Sequence, residues 1–163
     1  MLRIFLFIFD PSIRTGLFLY TRNRGRIMQL TIINNPDESR KERYEIARAV
    51  YAETAAVSLR AVEAMASMIA NAAHARGCAP LDIVRDAHLF TSRNPASPRN
   101  KLWQVRADSS AFQMCLRVVQ KMQKGSLGDW CCGATRFHHG CQIPDWATSC
   151  GYITEINDIL FYL

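Results

Sequence analysis

Hydrophobic and polar positions follow a helical period through the first two thirds of the chain and then break into shorter, β-prone runs. Ile46, Ala49, Val50, Glu53 and Val57 recur at three-and-four spacing, which predicts one face of a helix. Asn34-Asn35-Pro36-Asp37 signals a turn before it, and Ser39 with Glu42 reads as its capping box. A second helix follows, with Ser58 as N-cap and Leu59, Val62, Met65, Ala66, Ile69 and Ala73 as its apolar stripe. Gly77 is its natural stop. Pro80 to Arg85 predicts one short helical turn, and residues 89–100, with Pro95 and Pro98, predict a long irregular loop. A third helix is expected from Asp108, as N-cap, to Lys124, with Phe112, Cys115, Leu116, Val119 and Met122 inward. The last β-prone pieces, around Ile153 to Ile156 and Ile159 to Tyr162, predict a small hairpin or sheet. The pattern as a whole is mainly α, an α+β chain with a small β element near its C-terminus.

Length and charge narrow this picture. A chain of 163 residues suits one domain with a proper core, and 49% hydrophobic with 21% charged residues is ordinary for a folded soluble body. The formal charge of +6 invites a nucleic-acid partner, so its location decides the matter. Five of the 20 Lys and Arg, but one of the 14 Asp and Glu, precede Met28. Residues 28–163 are therefore close to balanced, and no nucleic-acid partner is expected. Leu2 to Phe9 is apolar but far shorter than the ~20 residues of a membrane span, and Asp10-Pro11 interrupts it. One basic residue precedes it and no small-residue cleavage site follows, so it does not read as a convincing export signal. Residues 1–27 are expected to lie outside the domain, with Met28 as the true start and 28–163 as a single monomeric domain without a stable membrane span.

Glu53 is the residue with chemical promise. An ionised carboxylate in apolar surroundings is costly, and a carboxyl group that keeps its proton there is what a general acid needs. The competing reading leaves Glu53 at a helix end, turned to solvent. Cys131, Cys132, His138, His139, Cys141 and Cys150 lie close in sequence and suggest zinc ligands. Structural zinc sites usually offer two pairs, each spaced by a few residues, whereas these are adjacent cysteines and adjacent histidines. No metal and no other cofactor is expected. His139 reads as an ordinary loop histidine with its hydrogen bonds satisfied.

Three blocks, in order, carry a resemblance. The helix pair ends its first member in Tyr51-Ala52-Glu53 and its second in Asn71; the loop reads Phe90-Thr91-Ser92-Arg93-Asn94-Pro95; and Gly133-Ala-Thr135-Arg-Phe137-His138 precedes Pro144-Asp-Trp146. Together they resemble the SleB-type cell-wall hydrolases, the spore-cortex-lytic enzyme family, over about residues 43–162. The resemblance implies a lysozyme-like fold acting on peptidoglycan glycan strands at the cell wall or periplasm. It implies Glu53 as the catalytic acid, and Phe90, Asn94, Thr135, Phe137, His138 and Trp146 as the substrate-binding set. Thr135, His138 and Asn94 would orient the sugar, and the three aromatic residues would wall it. A single strong carboxylate suits a lytic transglycosylase, in which Glu53 serves as acid and then as base. Asp108, Asp129 and Asp145 stand open as a second carboxylate for hydrolysis. A peptidoglycan amidase and a non-catalytic wall- or partner-binding module are the alternatives. The sequence departs from the family at Arg93, usually Trp; at Val57, often a second Glu; and in the closing Ile156-Asn157-Asp158-Ile159-Leu160-Phe161-Tyr162, where Asn157 replaces Gly and Ile159 replaces His.

Overall fold

The computed structural model describes residues 36–163, apart from Gln142. The expectation for residues 1–27 and for a start at Met28 lies outside the described residues. Helix α1 spans Pro36–Thr54, α2 Leu59–Arg76, α3 Pro80–Arg85 and α4 Ser110–Gln123. Strands β1 (Arg136–His139), β2 (Tyr152–Ile156) and β3 (Ile159–Tyr162) form one antiparallel sheet in the order β1-β3-β2. The α+β class is therefore as read from the sequence. Among the described residues no helix is long and apolar enough to cross a membrane.

α2 is the central element. Ala61, Val62, Ala64, Met65, Ala66, Ser67, Met68, Ile69, Ala72 and Ala73 are all buried, which covers most of its circumference. The six-residue stripe read from periodicity was too narrow because alanines hide a second face: their small side chains admit neighbouring helices from more than one side. α1 and α4 pack on it and on each other, joining Ile46, Val50, Phe112, Cys115 and Val119 to Met65 and Ile69 in one core. Each large apolar side chain so buried contributes about 1.5–3 kcal/mol. Tyr44 and Tyr51 pack their rings against Phe112, with centroids 5.8 and 6.3 Å away.

Several boundaries differ from the sequence reading, each for a local reason. α1 begins at Pro36, a favoured first helical position, so Ser39 lies inside the helix rather than capping it. α1 stops at Thr54 because Ala55 and Ala56 take left-handed backbone angles, with φ of 48° and 50°. That reversal throws Val57 out to 70% exposure, off the apolar face to which its spacing assigned it. Leu59, in the first turn of α2, is likewise half exposed. Ser58 does cap α2, accepting a hydrogen bond from the Ala61 N–H at 3.1 Å. α4 starts at Ser110, so Asp108 precedes the cap and pairs instead with Arg106 in solvent.

The β2–β3 hairpin turns through Asn157-Asp158, both left-handed, with φ of 52° and 62°. A two-residue turn with both central residues at positive φ matches the twist of the strands it joins, and asparagine tolerates that region better than most residues. The departure from glycine at Asn157 is thus absorbed by the turn. Asn157 also accepts a hydrogen bond from Ser58 Oγ at 2.6 Å, tying the hairpin to the start of α2. We expect Asn157→Gly to unfold near the wild-type denaturant midpoint, and Asn157→Val to lose roughly 1–2 kcal/mol for a β-branched residue forced to positive φ. Equilibrium urea unfolding of the two variants compares them.

Candidate active site

Strand alternation sorts the sheet into two faces. In the β1–β3 register Phe137 stands opposite Phe161 and His139 opposite Ile159, and this face looks into the body. Arg136 and His138 lie on the other face with Tyr162, where Trp146 covers them: its ring meets His138 at 5.8 Å, Tyr162 at 5.4 Å and the Arg136 guanidinium at 5.6 Å. His138 and Tyr162 stack at 5.3 Å. The same alternation that buries Phe137 delivers His139 to the end of α1.

There it meets Glu53, whose side chain is fully buried, and His139 Nε2 and Glu53 Oε2 share a hydrogen bond of 2.8 Å. The other carboxyl oxygen, Oε1, accepts the backbone N–H of Ser92 at 3.3 Å. Ser92 is itself held from three sides: Trp103 Nε1 donates to its Oγ at 3.1 Å, Asn100 Nδ2 donates to its carbonyl at 3.1 Å, and its own side chain is buried. These bonds aim the Ser92 N–H at the carboxyl group.

The end of α1 is completed in the same way. Helix ends leave carbonyls without partners, and here three of the last four, those of Tyr51, Glu53 and Thr54, find one. Thr54 Oγ1 donates to the Val50 carbonyl, Ala55 N–H to Tyr51, Arg99 Nη1 to Glu53 at 2.9 Å, and Val57 N–H to Thr54. Arg99 thereby fixes the backbone of Glu53 and brings a positive charge to the site.

A groove of about 630 Å³ runs beside this pair, within the range of small-ligand clefts. One wall is the loop that carries Thr91, Asn94 and Arg99; the other is β1 and the turn after it, with Phe137, His138, His139 and Trp146. The groove therefore collects Asn94, Phe137, His138 and Trp146 from the predicted binding set. Phe90 stands behind it in the core, edge-on to Phe137 at 5.3 Å, and Thr135 and Glu53 are not among the lining side chains. The ring nitrogens of His138 are occupied: Nδ1 donates to the His139 carbonyl at 2.9 Å, and Nε2 accepts from the Tyr162 hydroxyl at 3.1 Å. Asn94 Oδ1 accepts the Ala96 N–H at 2.9 Å, which shapes the loop, and the residue is exposed.

His139 is on strand β1 rather than in a loop, and its contact with Glu53 is what spacing missed. The available signal was the two-residue step from Phe137 along a β-prone run. Arg93 also has a clear place: it pairs with Glu45 at 2.7 Å and lies over the Trp103 ring at 4.8 Å, outside the groove. Among the described residues no three His, Cys, Asp or Glu side chains converge in a way that could hold a metal ion. Burial pushes the Cys115 and Cys131 thiols up to about 12, the latter beside Asp129 as well, so both stay protonated and inert.

None of the three aspartates considered as partners lines the groove. Asp129 instead organises the turn before β1, accepting the N–H groups of Cys131 at 3.1 Å and Gly133 at 2.7 Å, and the amide of Asn71 at 3.3 Å. Partial burial acts to raise its pKa, but these hydrogen bonds together outweigh it and hold the carboxyl below its ordinary value. A folded-state value below the unfolded one stabilises the fold above the unfolded pKa of about 3.9, and that contribution disappears as pH falls through the folded value. Asp129→Asn should therefore lower the denaturant midpoint at pH 7, and the gap from wild type should narrow steadily below pH 4. A gap that stays constant with pH would assign the effect to something other than the charge.

No protein-family model matches this chain, and neither a curated protein nor a solved structure does.

Proposed function

We propose that this chain cleaves the glycan strand of peptidoglycan between N-acetylmuramic acid and N-acetylglucosamine, as a lytic transglycosylase on a lysozyme-like domain of the SleB type. The observation that carries the reading is a fully buried carboxyl group, Glu53, hydrogen-bonded to a histidine in the wall of a groove that no Asp or Glu among the described residues lines. Sugar cleavage begins with a proton delivered to the glycosidic oxygen, and Glu53 is the proton source. A hydrolase of the usual type places a second carboxylate roughly 5–9.5 Å from the first, to act as nucleophile or to activate water. Without one, the muramoyl 6-hydroxyl has the advantage of being tethered to the reacting sugar. Its oxygen closes on C1, its proton returns to Glu53, and a 1,6-anhydro ring results. Trp146 and Phe137 offer apolar faces to sugar rings, and the free amide of Asn94 suits an N-acetyl carbonyl.

One observation favours a second reading, a wall-binding module without turnover: the Glu53 side chain does not itself reach the groove. Purified sacculi decide between the two. We expect Glu53→Gln to fold normally and to lose at least the ~10²–10⁴-fold that general acid–base catalysis contributes. Near-normal release of muropeptides by that variant would move the active site elsewhere.

The product chemistry is a separate test. Mass spectrometry should find muropeptides ending in 1,6-anhydro-N-acetylmuramic acid, lighter by one water than hydrolytic products. Reducing N-acetylmuramic acid ends would replace transglycosylation with hydrolysis. Free stem peptides beside intact glycan would instead support an amidase.

A further inference from the structure

We infer that Arg99 makes the groove a site for an acidic ligand, its guanidinium holding a carboxylate carried by the glycan strand. The identity of the ligand rests on the glycan-cleavage reading; the preference for a carboxylate rests on the groove alone. Three observations carry it. Arg99 stands half-buried in the groove wall, and it is the one Lys or Arg among the described lining residues. Among the described residues its guanidinium makes one hydrogen bond, from Nη1 to the Glu53 carbonyl at 2.9 Å, and no ion pair. No Asp or Glu among those residues lines the groove; Asp145, between the lining residues Pro144 and Trp146, is exposed outside the lining.

The bond to Glu53 leaves most of the side chain's capacity unused. A guanidinium has five N–H donors, and a neutral carbonyl takes one of them and none of the charge. Nε and Nη2 have no partner among the described residues and are not among the buried nitrogens that lack one, so both are open to solvent. Arg93, six residues earlier in the same loop, shows the contrast: it is spent on Glu45 at 2.7 Å. Arginine that is partly withdrawn from water ordinarily meets an acid. In the groove that acid is absent from the lining, and a bound carboxylate supplies it.

The chemistry of the ligand follows from the fork. Two parallel N–H groups match the two oxygens of a carboxylate, a pairing stronger than any hydroxyl or amide of a neutral sugar can make. N-acetylmuramic acid differs from N-acetylglucosamine by a lactyl ether that ends in a carboxyl group. In a peptide-bearing strand that group is an amide, and the stem peptide carries carboxylates of its own. Both sources present the same group to Arg99. Because Nη1 is held on the Glu53 carbonyl, a carboxylate on this guanidinium stands beside the end of α1.

The test is an NMR titration of the full wild-type chain with three disaccharides. Chitobiose is neutral; N-acetylglucosaminyl-N-acetylmuramic acid has a free lactyl carboxylate; the third is that disaccharide with a tetrapeptide stem on the lactyl group. None contains the bond from N-acetylmuramic acid to N-acetylglucosamine, so binding is read without turnover. At least one acidic disaccharide should bind at least ~10-fold more tightly than chitobiose, by an advantage that shrinks with added salt. A gain by the free form alone assigns the lactyl carboxylate, a gain by the peptide form alone assigns the stem, and a gain by both lets either fill the fork. Arg99→Gln keeps an N–H for the Glu53 carbonyl but no charge, and should bring the acidic disaccharides to the chitobiose level. If that variant fails its thermal-melting check, methyl esters of the acidic disaccharides, which remove the charge from the ligand instead, should do the same with wild type. Equal affinity for all three, binding of none, or an advantage that persists in folded Arg99→Gln or in the esters would overturn the inference. Intact sacculi with the preference present would remove glycan cleavage and leave an acidic-glycan site; cleaved sacculi with equal affinities would do the reverse.

Discussion

The hydrogen bond between Glu53 and His139 is the constraint on which the rest of the described structure depends. It joins residues 86 positions apart, one in the last turn of α1 and one at the end of β1. Removing a carboxyl group from water costs several kcal/mol unless partners replace the water, and removing one partner of a buried polar pair is more damaging than never having had the pair. The fold therefore has to bring α1, the 89–104 loop and the sheet to one point, since each contributes a partner. α1 brings the carboxyl group, Ser92 brings an N–H, and β1 brings the imidazole.

Much of the irregular chain makes sense as support for that point. The loop between α3 and α4 is pinned by bonds from Trp103 and Asn100 to Ser92 and by Arg99 to the Glu53 carbonyl. Arg93, turned away to Glu45 and Trp103, secures the outside of the same loop. On the sheet side, Asp129 fixes the turn into β1 through two backbone N–H groups, and Asn71 ties that turn back to the central helix. Gly140, directly after His139, donates its N–H to the Asp158 carbonyl at 3.0 Å. The hairpin turn and β1 are in this way tied together.

The two faces of β1 divide the work. Phe137 and His139 face the body and belong with Glu53; Arg136 and His138 face Trp146 and Tyr162 and build an aromatic wall. His138 lines the groove, but its nitrogens are spent on the His139 carbonyl and the Tyr162 hydroxyl. Its contribution there is a flat surface and a fixed neighbour for His139 rather than a free donor.

The sequence by itself determined the elements and the inward face of α1. Helical spacing located Ile46, Ala49, Val50 and Glu53 on one side, Ser58 and Gly77 bounded α2, and the closing β-prone runs became a sheet, because each signal is local and repeats over several turns or residues. It was silent wherever one residue's role depends on a distant neighbour. Val57 left its expected face because two alanines took left-handed angles that no spacing encodes. Asp129, open as a catalytic partner, turned out to be held by N–H groups of its own turn. His139, one residue beyond the histidine the motif points to, became the partner of Glu53 only when strand register and the end of α1 brought the two together. Periodicity left Glu53 between an inward face and a helix end turned to solvent, and tertiary contact decided both that it is buried and what satisfies it.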